Sequence, residues 1–199
     1  MSRLEDEVNG MLERTRIALK EWAVLVRELE EGRQIILIRK GGILEQMQGF
    51  TVEHREFFLF PTYIHQNEDD MIPELGPRLR EVIRSAPPPG KLRLTAYAQV
   101  EESVHVTTIE PLKALEGMHA LSWSAVEGRF RYRRPGLHVL ALRVYRLPEP
   151  IVLSLTPRYD GCISWVDLDD ELPTAGALPV LSDEEFSIRL DRIRNVLTA

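Results

Sequence analysis

The chain has 199 residues, 25 Lys and Arg against 31 Asp and Glu, a formal net charge of -6, five histidines and one cysteine. A chain of this length buries roughly 70% of its unfolded surface, so neither a disulfide nor a structural metal is needed, and Cys162 has no partner for an internal bridge. The acidic balance argues against a domain that coats nucleic acid through its overall field and leaves room for a local basic groove.

The opening MSRLEDEVNG is polar where a secretory signal is apolar, and no run reaches the roughly 18 apolar residues of a spanning helix. A cytoplasmic protein with no membrane contact is the expectation. Leu4, Val8, Met11, Leu19, Trp22, Val26 and Leu29 recur at steps near three and four, which predicts an amphipathic N-terminal helix over 3–30, broken at Asn9-Gly10, with Trp22 in the core. Gly32 ends it. RQIILIRK, Arg33 to Lys40, reads as a buried strand. Beyond Gly41 and Gly42 and a polar stretch, EFFLF reads as a second strand stopped at Pro61, because proline cannot donate to a ladder. NEDDMIPELGPRLREVIRSAPPPG predicts a loop, a short helix near Pro77 to Ser85 and a stiff triple-proline connector.

KLRLTAYAQVEESVHVTTI supplies one long or two short strands, and PLKALEGMHALSWSAVEGRF short helical turns. LHVLALRVYRL is the clearest alternating strand, with EPIVLSL and CISWVDL as two more. Ser182 and Glu185 form a capping box ahead of a closing helix over 182–197, with Phe186, Leu190, Ile193 and Leu197 on one face. Strands do not alternate with full-length helices, which argues against a doubly wound parallel sheet. The expected architecture is one α+β domain over 1–199: a mixed or antiparallel curled sheet over 33–168, with N- and C-terminal helices packed on it.

Several stretches could carry chemistry. In IRKGG, a strand delivers Arg39 and Lys40 into a turn where Gly41 and Gly42 are free to take positive φ, which suits an anion; the same residues also fit a tight hairpin with solvated charges. The stretch has neither P-loop nor dinucleotide-fingerprint spacing. After EFFLF, Thr62, Tyr63, His65 and Gln66 either bond backbone groups at the strand end or line a pocket for a planar polar ligand. RFRYRR, if extended, puts Arg129, Arg131 and Arg133 on one face and Phe130 and Tyr132 on the other, as a phosphate-contacting stripe or an ordinary edge strand. His54, Glu56, His65 and Glu45 could assemble a metal site only if the chain folds back, since no His-Glu-x-x-His or close His pair occurs. Asp167 to Glu185 contains no Lys or Arg. No elbow surrounds Ser122, Ser124 or Ser164, and no lysine has an acidic residue two positions before it.

With ALKEWA (18–23), RKGGI (39–43), FLFPTYIHQ (58–66), LHVLALRVYRLP, GCISWVDL and PVLSDEEF in view, the chain resembles the prokaryotic family known as domain of unknown function 1802. The resemblance implies an association, in some members, with restriction or defence systems. GRQIILIR also matches Gly32 and Arg39 of the Gly-x-Lys-x-x-Glu-x-Arg pattern of ASCH domains, with Gln34 and Leu37 where Lys and Glu are expected. HVLALRVYRLPEPIVL looks like the related EVE domains. These likenesses imply a partial barrel of the PUA (pseudouridine synthase and archaeosine transglycosylase) type.

The functional expectation is a non-catalytic, cofactor-free module binding nucleic acid or a modified nucleotide between the RKGG turn and the FPTYIHQ strand end. Its ligand set is Arg39, Lys40, Gly41, Gly42, Thr62, Tyr63, His65, Gln66, Arg129 and Arg131. The alternatives are a metal-assisted hydrolase built on the His/Glu set and a scaffold offering its acidic C-terminal region to a protein partner.

Overall fold

The structure, a computed structural model, describes residues 11–40, 52–161 and 163–198. Among the described residues seven strands form one mixed sheet: β1 (Arg14–Trp22), β2 (Ile36–Arg39), β3 (Glu56–Thr62), β4 (Lys91–Val106), β5 (Leu137–Ser154), β6 (Trp165–Pro173) and β7 (Leu178–Pro179). Their order is β2-β5-β4-β3-β1-β6, with β7 against β5. Among the described residues only β1 and β3 run parallel. The helices are α1 (Ala23–Glu30), α2 (Gly76–Arg84), α3 (Glu110–Ala114), α4 (Trp123–Arg131) and α5 (Asp183–Thr198). The protein is thus α+β.

The N-terminal helix expected over 3–30 is corrected: within the described residues, 14–22 is a strand and the helix begins at Ala23. β1 is bonded on both edges, to β3 and β6. Those non-local ladders outweigh helix-propensity differences of only tenths of a kcal/mol per residue. The sheet therefore extends beyond 33–168 at both ends. Pro61 does not stop β3, which runs to Thr62 with Pro61 opposite Glu21. Pairing with β4 ends at Phe58, so among the described residues one edge of those that follow has no strand partner, and proline is tolerated at such an edge. EPIVLSL is the continuation of β5 rather than a separate strand.

The sheet is buried on both faces, which is why EFFLF has no polar alternation. Phe57 and Leu59 enter the larger core with Val24, Leu29, Ile36 and Leu190, whereas Phe58 and Phe60 enter a second one with Leu94, Tyr97 and Leu168. In β4 a register shift between Leu94 and Ala96 changes which parity faces which core: Leu92 and Leu94 lie in the second core, Ala96 and Ala98 in the first. At the C-terminus, Glu185 N donates to Ser182 Oγ (3.2 Å) and Ser182 N to Glu185 Oε2 (3.3 Å), closing the capping box of α5. That helix buries Phe186, Leu190 and Ile193.

Candidate functional site

β2 and β6 are the outermost strands in the sheet order, yet they are tied together across it. Arg39, at the end of β2, donates to the Lys20 carbonyl (2.9 Å), the Glu21 carboxylate (2.6 Å) and Ser164 Oγ (2.8 Å) just ahead of β6. Lys20 N also donates to the Ser164 carbonyl (2.8 Å). The Arg39 and Glu21 side chains are 13% and 7% exposed, so this ion pair is largely removed from water, with the guanidinium's geometry suited to several acceptors at once. The brace ties the end of β2 to the residue just ahead of β6, at the joint between β1 and α1.

Other predicted residues meet the same joint. Thr62 Oγ1 donates to the Glu21 carbonyl (3.1 Å), and Gln66 Oε1 accepts from Val24 N (3.0 Å) in the first turn of α1. Among the described residues the buried Gln66 Nε2 has no acceptor. Arg129 lies 4.6 Å over the Trp22 ring and reaches the Ile38 carbonyl at 3.5 Å. Burial, more than any neighbouring charge, pushes its pKa down. Arg39, Thr62, Gln66 and Arg129 thus converge on residues 20–24, largely by bonding the chain itself.

Lys40 does something different. Its ammonium donates to the carbonyls of Phe130 (3.2 Å), Arg134 and Gly136 (2.9 Å), pinning the chain that leaves α4, and burial lowers its pKa. Here the extended RFRYRR stripe is corrected. Arg129, Phe130 and Arg131 form the last turn of α4, where alternate residues diverge around the axis: Phe130 enters the core, Arg129 packs on Trp22, and Arg131 faces solvent and pairs with Glu127 (2.8 Å). Tyr132, Arg133 and Arg134 follow in an exposed loop.

Tyr63 and His65 do not join the 20–24 joint in this way. Burial raises the Tyr63 pKa, and its charged neighbours are Arg93, Glu30 and Arg27. His65 is exposed, at φ 60°. Gly41, Gly42 and Glu45 lie outside the described residues. For the His/Glu set, Glu56 is occupied by Leu12 N (2.8 Å), the Tyr97 hydroxyl and Gln99 Nε2 (3.2 Å), while His54 packs edge-on against Trp165 (5.4 Å). Among the described residues no three His, Cys, Asp or Glu side chains are grouped to hold a metal ion. In the acidic segment, Asp167 pairs with Arg16 (2.5 Å) and Arg158 (2.9 Å), Asp169 with Arg158 (3.3 Å) and Asp183 with Arg143, so among the described residues three of its seven carboxylates are paired within the chain.

Sequence reasoning missed Glu21 and the structural part of Ser164, and it placed Trp22 only in the core. No local spacing marks them, since the Arg39 to Ser164 bond spans 125 residues of chain.

Among solved structures, the ASCH protein of Zymomonas mobilis is similar over 88% of this chain and 92% of its own, at 11% identity and a TM-score of 0.44. A serine-to-alanine mutant of that protein is similar over 74% and 92%, at 12% identity and a TM-score of 0.42. No curated protein matches. The model of the family described as domain of unknown function (DUF1802) matches residues 18–192, and the chain belongs to that family.

Proposed function

We propose that this protein is a non-catalytic nucleic-acid-binding module whose phosphate contacts come from the last turn of α4 and the loop after it. One observation carries the reading: Lys40 is spent on three carbonyls of the chain around that loop, while Arg131 at the end of α4 and Tyr132, Arg133 and Arg134 in the loop are all exposed. Among the described residues, Arg133 and Arg134 have no carboxylate partner within ion-pair distance. A local cationic ridge on a chain of net charge -6 concentrates attraction for a polyanion at one place. The Arg39 brace holds the end of β2, and with it Lys40, in register with that ridge. A modified nucleotide as ligand and a part in restriction or defence are finer forms of this reading, supported by the family resemblance alone.

Fluorescence anisotropy with labelled RNA and DNA oligonucleotides across a salt series tests it. Three arginine–phosphate contacts predict a log–log salt slope of about -2 for a single strand, falling towards zero when Arg131, Arg133 and Arg134 are all replaced by Ala. Absence of binding at about 50 mM salt, or binding indifferent to the triple replacement, overturns the proposal.

A further inference from the structure

Building on the proposed function, we infer that the loop's ligand is an unpaired stretch of nucleic acid, one base of which stacks on Tyr132. Tyr132 is 54% exposed, yet its backbone is held. Its N–H closes α4 by donating to the carbonyls of Gly128 (3.1 Å) and Arg129 (3.3 Å). An aromatic ring left in water at a held backbone position offers a face on which a base can stack.

The next residue shapes that platform. Arg133 takes φ 61°, the left-handed conformation that costs a residue with a side chain about 1 kcal/mol. Its guanidinium lies 4.9 Å from the centre of the Tyr132 ring. Gly136, at φ 129°, ends the loop in a conformation open to glycine alone, and a Cβ there would come 2.7 Å from His105 Nε2. The loop is therefore held at both ends, by the close of α4 and by Gly136, and from beneath by Lys40. A left-handed arginine persists in such a loop because its surroundings over-determine it.

Ring, stacked cation and two flanking arginines within four residues match the chemistry of a single strand, in which a base offers a π-face and its phosphates lie alongside. In a duplex the faces of every internal base are already covered by neighbours, so the ring has nothing to stack on. The arginines alone would still attract a duplex, and the distinction rests on Tyr132.

The full chain is titrated against a labelled single-stranded oligonucleotide, as RNA and as DNA, and against a blunt duplex of the same sequence. Wild-type protein is compared with Tyr132→Ala and Tyr132→Trp, and 2-aminopurine in the strand reports stacking by its quenching. The single strand is expected to bind at least about tenfold more tightly than the duplex. Tyr132→Ala should weaken the single strand by about 5- to 100-fold with little effect on the duplex, while Tyr132→Trp keeps both affinity and quenching. Equal affinity for strand and duplex, or a Tyr132→Ala variant that binds the strand like wild type, overturns this inference and leaves the arginine-based reading standing. Binding to neither overturns both.

Discussion

Replacing Lys40 with Met keeps the aliphatic stem and removes only the ammonium, so it isolates what that charge does. In the wild type the ammonium serves the carbonyls of Phe130, Arg134 and Gly136. Hydrogen bonds from a charged donor contribute roughly 1.5–3 kcal/mol each. Three of them give a gross figure of about 4–9 kcal/mol, from which two costs are subtracted. The ammonium is itself desolvated, which lowers its pKa, and water can reach at least the outer carbonyl once the ammonium is gone. A net loss of about 2–3 kcal/mol follows, which for a chain of this length lowers Tm by about 5–10 °C. Urea unfolding gives the stability change, and limited proteolysis at Arg131 to Arg134 reports whether the loop has been released. Oligonucleotide affinity should fall as well, although Lys40 touches no ligand in the proposed binding mode. A stability change below about 0.5 kcal/mol with unaltered proteolysis would refute the pinning role.

Three further outcomes follow from buried groups. Burial raises the pKa of Glu30 above its ordinary 4.5, against the opposing hydrogen bond from Thr95, so between those two values the folded state holds more protons than the unfolded one. That contribution is complete below pH 4.5 and is lost as pH rises through the folded value, so Glu30→Gln should gain stability over wild type between pH 4.5 and pH 7 in paired urea titrations. Burial pushes His119 down to about 4 from 6.5; the folded protein then binds fewer protons across that window, and acidification from pH 7 to pH 4 should cost about 2–4 kcal/mol through this residue. The proton NMR signal of its ring should stay at the neutral position until below pH 5. Gly32 sits at φ +66° with Leu181 Cδ2 2.7 Å from where a Cβ would stand, so Gly32→Ala should destabilise by about 1–2 kcal/mol in thermal unfolding from the backbone alone.

Features whose causes are local were legible in the sequence. The Ser182 and Glu185 box, the apolar face of α5, the short helix after Gly76 and the strands around Ile36 and Leu140 depend on neighbours a few residues away, and periodicity and capping chemistry record those directly. Of the residues singled out in the sequence, Arg39, Thr62, Gln66 and Arg129 meet at residues 20–24, and Lys40 bonds the chain leaving α4. Tertiary structure decided what each of them does. Residues 14–22 carry a helical spacing of apolar side chains, but β3 and β6 bond both their edges, and no window of nine residues contains that information. Alternating arginine and aromatic residues fit an extended stripe until α4 is seen to continue through Arg131, which sends Arg129 to Trp22 and leaves Tyr132 in solvent. Arg39 looked like a free cation because its partners, Glu21 and Ser164, lie 18 residues before it and 125 after it, and only the tertiary fold brings them within hydrogen-bonding distance.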